Sequence, residues 1–132
     1  MRNQIRIGIG VDIEDVDRFK KYSKRSNSLL HKIYTQKELE YCFKKKQPEI
    51  HLAVRFAGKE AVMKALCSIG ESVVHHKAIE IINNHMGVPV VRLEKIDRID
   101  NLYTIQLSMS HCKNKVVAFV IIYYNQEDDN EK

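Results

Sequence analysis

EIHLAVRFAGKEAVMKALCSI, residues 49–69, is the longest helical pattern in the chain, with no proline and one glycine, Gly58. Set on a wheel at about 100° per residue, Ala53, Phe56, Ala57, Ala61 and Cys67 fall on one side, and Val54, Val62, Ala65, Leu66 and Ile69 take the other. A helix apolar nearly all round belongs inside a domain or at a subunit interface. Glu60 and Lys64 lie near the middle of the first side, off any obvious solvent face, while Arg55 and Lys59 point elsewhere, near Leu66. Burying a charge without a partner costs several kcal/mol. Two readings remain open. Glu60 and Lys64, four residues apart, pair with each other, or both face a polar pocket that holds a metal and phosphates, with Ala57 and Ala61 leaving room for the ligand.

The sequence on either side fits an α+β fold around this helix. IRIGIGV (5–11) alternates isoleucine and glycine and predicts a first strand, whose Gly8 and Gly10 suggest close packing against its backbone. Ile13, Val16 and Phe19 then recur at helical spacing, so a helix is expected from Asp12 or Ile13, with Asp12 at the junction and able to cap it. Residues 28–33 suit a short helical turn. Thr35 with Glu38 gives the capping-box pattern, and the helix it opens should end before Pro48. In the second half the period changes. Residues 77–84, 88–96, 102–110 and 115–124 are strand-like, with a turn at NHMGVP and a short, hairpin-like HCKN link between the last two. An N-terminal strand, helices including one long buried helix, then consecutive strands predict a largely antiparallel sheet.

The 132 residues suit one domain over 1–125, followed by a flexible acidic tail at 126–132. No apolar run is long enough to span a membrane, and the N-terminal apolar stretch lacks a cleavage site, so it reads as a strand and not as a signal peptide. Cys42, Cys67 and Cys112 are far apart and form no CxxC pair, which argues against zinc and for reduced thiols in the cytoplasm. Lys and Arg total 22 against 17 Asp and Glu, a net +5 that suggests an anionic partner. The cations cluster: Arg18, Lys20, Lys21, Lys24 and Arg25 form one run, and Lys44, Lys45 and Lys46 another.

GIGVDIEDV, RFAGKEAVMKAL and SMSHCKNKVVAFVI together resemble the 4′-phosphopantetheinyl transferases, most closely the small, single-domain holo-acyl-carrier-protein synthase type. Gly10-Val11-Asp12 matches the family's G-x-D element, and residues 56–64 match its [FW]-x-x-K-E-[AS]-x-x-K element. The resemblance implies a trimer with active sites between subunits. It also implies transfer of the phosphopantetheine arm of coenzyme A to a serine of an acidic acyl carrier protein or a specialised carrier, with Mg²⁺ required and 3′,5′-ADP released. On this resemblance Asp12 and Glu60 bind the metal, Glu60 and Lys64 are catalytic, and Arg55, Lys64 and His111 contact coenzyme A. Arg18, Lys21 and Arg25 would meet the carrier. The proton of the serine would pass to Glu60 or to a water on the metal, a choice left open. Lys59 ranks below Lys64, since the wheel sets it apart from Glu60.

Three departures from the family pattern stand out. Cys67-Ser68-Ile69-Gly70 replaces a glycine-rich stretch, Ala78 stands where an aspartate is common, and Cys112 replaces a common threonine. His31, His51, His75, His76 and His85 show no ligand spacing, and His75-His76 reads as loop. Two other functions fit parts of the pattern. A basic nucleic-acid-binding domain would show a steep salt slope on random DNA without turnover of coenzyme A. A non-catalytic relative would bind carrier or coenzyme A without transfer.

Overall fold

In a computed structural model the described residues are 6–22, 24, 27–72, 75–93 and 102–125. Strand β1 (Ile7–Asp15) leads into a 3₁₀ helix (Val16–Tyr22), followed by helices α1 (Leu30–Ile33), α2 (Gln36–Phe43) and α3 (Pro48–Ser68). A 3₁₀ turn (His76–Ala78) then opens β2 (Ile79–Asn83), which precedes β3 (Pro89–Leu93), β4 (Tyr103–His111) and β5 (Lys115–Tyr124). The strands form two antiparallel sheets, β1-β5-β4 and β2-β3. Ile5, Glu94–Ile96 of the third expected strand, and the 126–132 tail lie outside the described residues.

Local signals account for most boundaries. The Thr35 side chain accepts from the Glu38 amide while the Glu38 carboxylate accepts from the Thr35 amide, completing the capping box. Pro48 occupies the first turn of α3, where its missing N–H costs nothing. Asn84 Oδ1 accepts from the amides of Met86 and Val88, closing the β2–β3 turn over Gly87.

One expectation fails at the N-terminus. No helix begins at Asp12. β1 continues to Asp15, because its ladder with β5 holds from Ile7↔Tyr123 to Asp15↔Lys115, and only Val16 onwards turns into the 3₁₀ helix. Asp12 is therefore a mid-strand residue and caps nothing.

Helix α3 is the axis of the molecule. One side lies on β1 and β5, and α2, the 3₁₀ helix and β2 cover others. Ala53, Ala57, Ala61, Val62, Ala65 and Leu66 are all fully buried. The close fit rests on β1, where Gly8 and Gly10 face the helix. A Cβ on Gly10 would stand 2.0 Å from the Ala61 carbonyl oxygen, and one on Gly8 2.4 Å from that of Ala65. The small residue Ala61, expected to leave space for a ligand, leaves it for a strand.

This alternation inverts the usual facing of a strand. Gly8, Gly10, Asp12 and Glu14 point inward, while Ile7, Ile9, Val11 and Ile13 point out and are each more than half exposed. Opposite them on β5 stand Tyr123, Ile121, Phe119 and Val117, also exposed. The outer face of the β1–β5 ribbon is a continuous apolar band. Among the described residues no helix is long and apolar enough to cross a membrane.

Candidate active site

The inward face of β1 meets α3 at its polar end. Lys64, half exposed on α3, donates to the Val11 carbonyl at 3.0 Å and pairs with Asp12 Oδ1 at 3.2 Å. It does not pair with Glu60, as one reading of the helix had it. Glu60, one turn earlier and 31 % exposed at its side chain, instead accepts from His76 Nε2 at 2.5 Å. Both charges sit on a partly open rim rather than within the apolar side. The cations that α3 truly buries are Arg55 and Lys59.

Glu14 is a third carboxylate in this group. It is buried, it pairs with Arg18 Nη1 at 2.7 Å, and burial, the neighbouring Asp12 carboxylate and the charge of Glu60 push its carboxyl up to about 7 against the pull of Arg18. Sequence reasoning missed it because ending β1 at Val11 hid the i,i+2 relation that puts Asp12 and Glu14 on one face.

Oxygen donors here suit a hard dication. Asp12 Oδ2 is buried with no hydrogen-bond partner, next to carboxylates that repel one another. A cation would relieve both. No group of three or more His, Cys, Asp or Glu side chains among the described residues is arranged to enclose a metal by itself. One or two carboxylates with the other positions left to phosphate oxygens and water is the arrangement that Mg²⁺ favours.

Lys59 has a different task. Its ammonium is fully buried, pairs with Glu38 Oε1 at 2.8 Å, and donates to the carbonyls of His76, at 3.1 Å, and Ile79. Burial lowers its pKa, against the charge and hydrogen bond of Glu38. Glu38 in turn accepts from the Ile81 amide, and Thr35 donates its hydroxyl to Glu80. This network seats the 76–81 segment beside α3, and so seats His76 beside Glu60. His75-His76, expected to be simply loop, therefore contributes a contact to the site. No spacing in the sequence announces a partner 16 residues from Glu60.

Arg55 and His111 belong to a second group. Arg55 is buried, donates from Nη2 to Asn83 Oδ1 at 2.5 Å, lies 4.1 Å over the Tyr41 ring, and leaves its buried Nε without a partner. His111 ends β4 and is exposed. Arg55, Lys45 and His111 all act on His51, whose pKa is lowered by burial and then by these positive charges. The result is a basic cluster around His51 on the N-terminal half of α3.

On the 3₁₀ helix, Arg18 and Lys21 are exposed, Lys21 lying 5.2 Å over the Tyr22 ring. Lys20 pairs with Asp17 at 2.9 Å, and Arg25 lies outside the described residues. Rings connect this helix to the acids: Phe19 packs on Phe56 at 5.6 Å between centroids, and Phe56 stacks on His76 at 5.0 Å.

Known proteins share this arrangement of elements. Residues 8–120 match the sequence profile of the 4′-phosphopantetheinyl transferase superfamily. A holo-[acyl-carrier-protein] synthase of Thermodesulfovibrio yellowstonii is 43% identical over 116 residues, covering 87% of this chain and 96% of the relative. One from Geotalea daltonii is 39% identical over 120 residues, with the same coverage of 87% and 96%. The crystal structure of a holo-(acyl-carrier-protein) synthase from Bacillus anthracis in complex with CoA (3′,5′-ADP) superposes with a TM-score of 0.74 at 28% identity, covering 93% of this chain and all of that one.

Proposed function

The chain belongs to the 4′-phosphopantetheinyl transferase superfamily, and on that premise we propose that it is a holo-[acyl-carrier-protein] synthase, moving the 4′-phosphopantetheine group of coenzyme A to a carrier-protein serine. One observation carries the reading. Asp12 and Lys64, 52 residues apart in sequence, meet across β1 and α3, with a buried Asp12 oxygen left unpartnered beside two further carboxylates.

The serine oxygen attacks the phosphorus that carries the pantetheine arm. The bridging P–O bond of the diphosphate breaks, and 3′,5′-ADP leaves with the electron pair. Asp12 and Glu60 are the residues that would hold Mg²⁺, which when bound neutralises diphosphate charge and orients the phosphates. Lys64 stabilises the negative charge that moves towards the leaving group, its ammonium already held by the Val11 carbonyl and Asp12. Glu60 or a solvent water takes the serine proton.

Arg55 and His111 are assigned to coenzyme A phosphates, and the basic cluster around His51 supports that assignment. The exposed apolar β1–β5 band supports a homotrimer whose copies cover it, with active sites shared between subunits. Arg18, Lys21 and Arg25 would steer an acidic carrier, chiefly through encounter and orientation. The thiols of Cys42, Cys67 and Cys112, none in a disulfide, support a reducing, cytoplasmic setting.

The test is to mix the protein with apo-acyl carrier protein, coenzyme A and Mg²⁺ and to follow the carrier by mass spectrometry. A gain of one phosphopantetheine group, abolished by EDTA and by Glu60→Ala, is the expected result. Arg18→Glu should raise the KM for the carrier and leave the KM for coenzyme A nearly unchanged. No transfer to any carrier tried would overturn the assignment.

A further inference from the structure

The strongest unassigned contact is made by His76, and its argument rests on the reading just given for Glu60. Phe56 and Glu60 are four residues apart and so lie on one face of α3. The imidazole of His76 lies along that face, stacked on Phe56 at 18° between planes, with Nε2 2.5 Å from Glu60 Oε2. A carboxylate only accepts, so Nε2 carries the hydrogen. His76 is anchored through its main chain. Its backbone carbonyl is held by buried Lys59, whose other partners are Glu38 and the Ile79 carbonyl.

We propose that His76 is a positioning residue for Glu60: its Nε2–H holds one carboxylate oxygen and aims the other at the cation and substrate. Outer partners of this kind set ligand orientation, and their loss typically lowers metal affinity about 10–100-fold. The role needs a donor at the Nε2 position and a flat group against Phe56. It does not need a charge on the imidazole.

His76→Phe keeps a ring to stack on Phe56 and removes the donor, whereas His76→Gln restores an N–H near the same point. Mn²⁺ binding is titrated by electron paramagnetic resonance with coenzyme A present, beside carrier modification as a function of Mg²⁺ and thermal unfolding of each variant. The expected result is an affinity for Mn²⁺ about tenfold weaker in His76→Phe, with activity recovered at high Mg²⁺. Most of the affinity should return in His76→Gln, with unfolding midpoints close to wild type. Wild-type Mn²⁺ affinity in His76→Phe would overturn the proposal and leave the function standing, as would an equal fall in both variants with the fold intact. A wild-type chain that neither binds Mn²⁺ nor transfers would instead overturn the role given to Glu60, and this proposal with it.

Discussion

Lys59 places a full positive charge inside the molecule, and its carboxylate partner Glu38 is equally buried. Removing one member of such a pair strands the other, at a cost of about 3–5 kcal/mol. Lys59→Met should therefore lower the urea-unfolding free energy by about that amount, because buried Glu38 would lose the ammonium that compensates it. An unchanged unfolding free energy would show that the pair contributes nothing net. His51 supplies a pH test at the same scale. Burial, with Arg55, Lys45 and His111, holds its pKa below the ordinary 6.5. The folded chain thus binds this proton less tightly than the unfolded chain. The resulting stability is present above pH 6.5 and is lost as pH falls below it. His51→Gln should flatten the decline of the unfolding midpoint between pH 6.5 and the lowered pKa, measured against wild type at each pH. Equal slopes would remove His51 as a contributor.

For the elements, the contact between β1 and α3 decides what the site can be. The Ala61 carbonyl oxygen stands 2.0 Å from where a Cβ on Gly10 would be, and main chain cannot swing aside as a flexible side chain does. Gly10→Ala should cost about 3 kcal/mol, at the upper end for overpacking, and should weaken metal binding because Asp12 lies two residues on. A variant as stable as wild type would mean that the strand shifts freely. Close packing at Gly8 and Gly10 was legible in the sequence, as were the capping box and the long buried helix. The end of β1 was not. Ile13, Val16 and Phe19 mimic a helical period, and only pairing with β5, a hundred residues away in the chain, keeps residues 12–15 extended. Glu14 was lost with that boundary. The Glu38–Lys59 and Glu60–His76 contacts were equally hidden, since each depends on how the 76–81 segment docks, which no local pattern encodes. The wheel did separate Lys59 from Glu60, but it set Glu60 and Lys64 within the apolar side, whereas they sit at the partly open rim and Lys59 lies in the core.

At the scale of the whole molecule, the outer β1–β5 face carries the prediction. Val11 and Phe119 lie directly opposite each other in the middle of the apolar band, and Val11 also offers its carbonyl to Lys64. Val11→Lys with Phe119→Lys should convert the proposed trimer to monomers in sedimentation, with helical circular dichroism kept and transfer lost. A fully active monomer would dissociate catalysis from assembly. The two faces of β1 have one more effect, on how this strand tolerates changes in length. Strand geometry has a period of two, so adding or deleting one residue between Gly8 and Asp12 would exchange the faces at a stroke, driving isoleucine into the helix backbone and turning the acid to the outside. Only even-numbered insertions or deletions keep the alternation, so natural length variation in this strand should come in pairs.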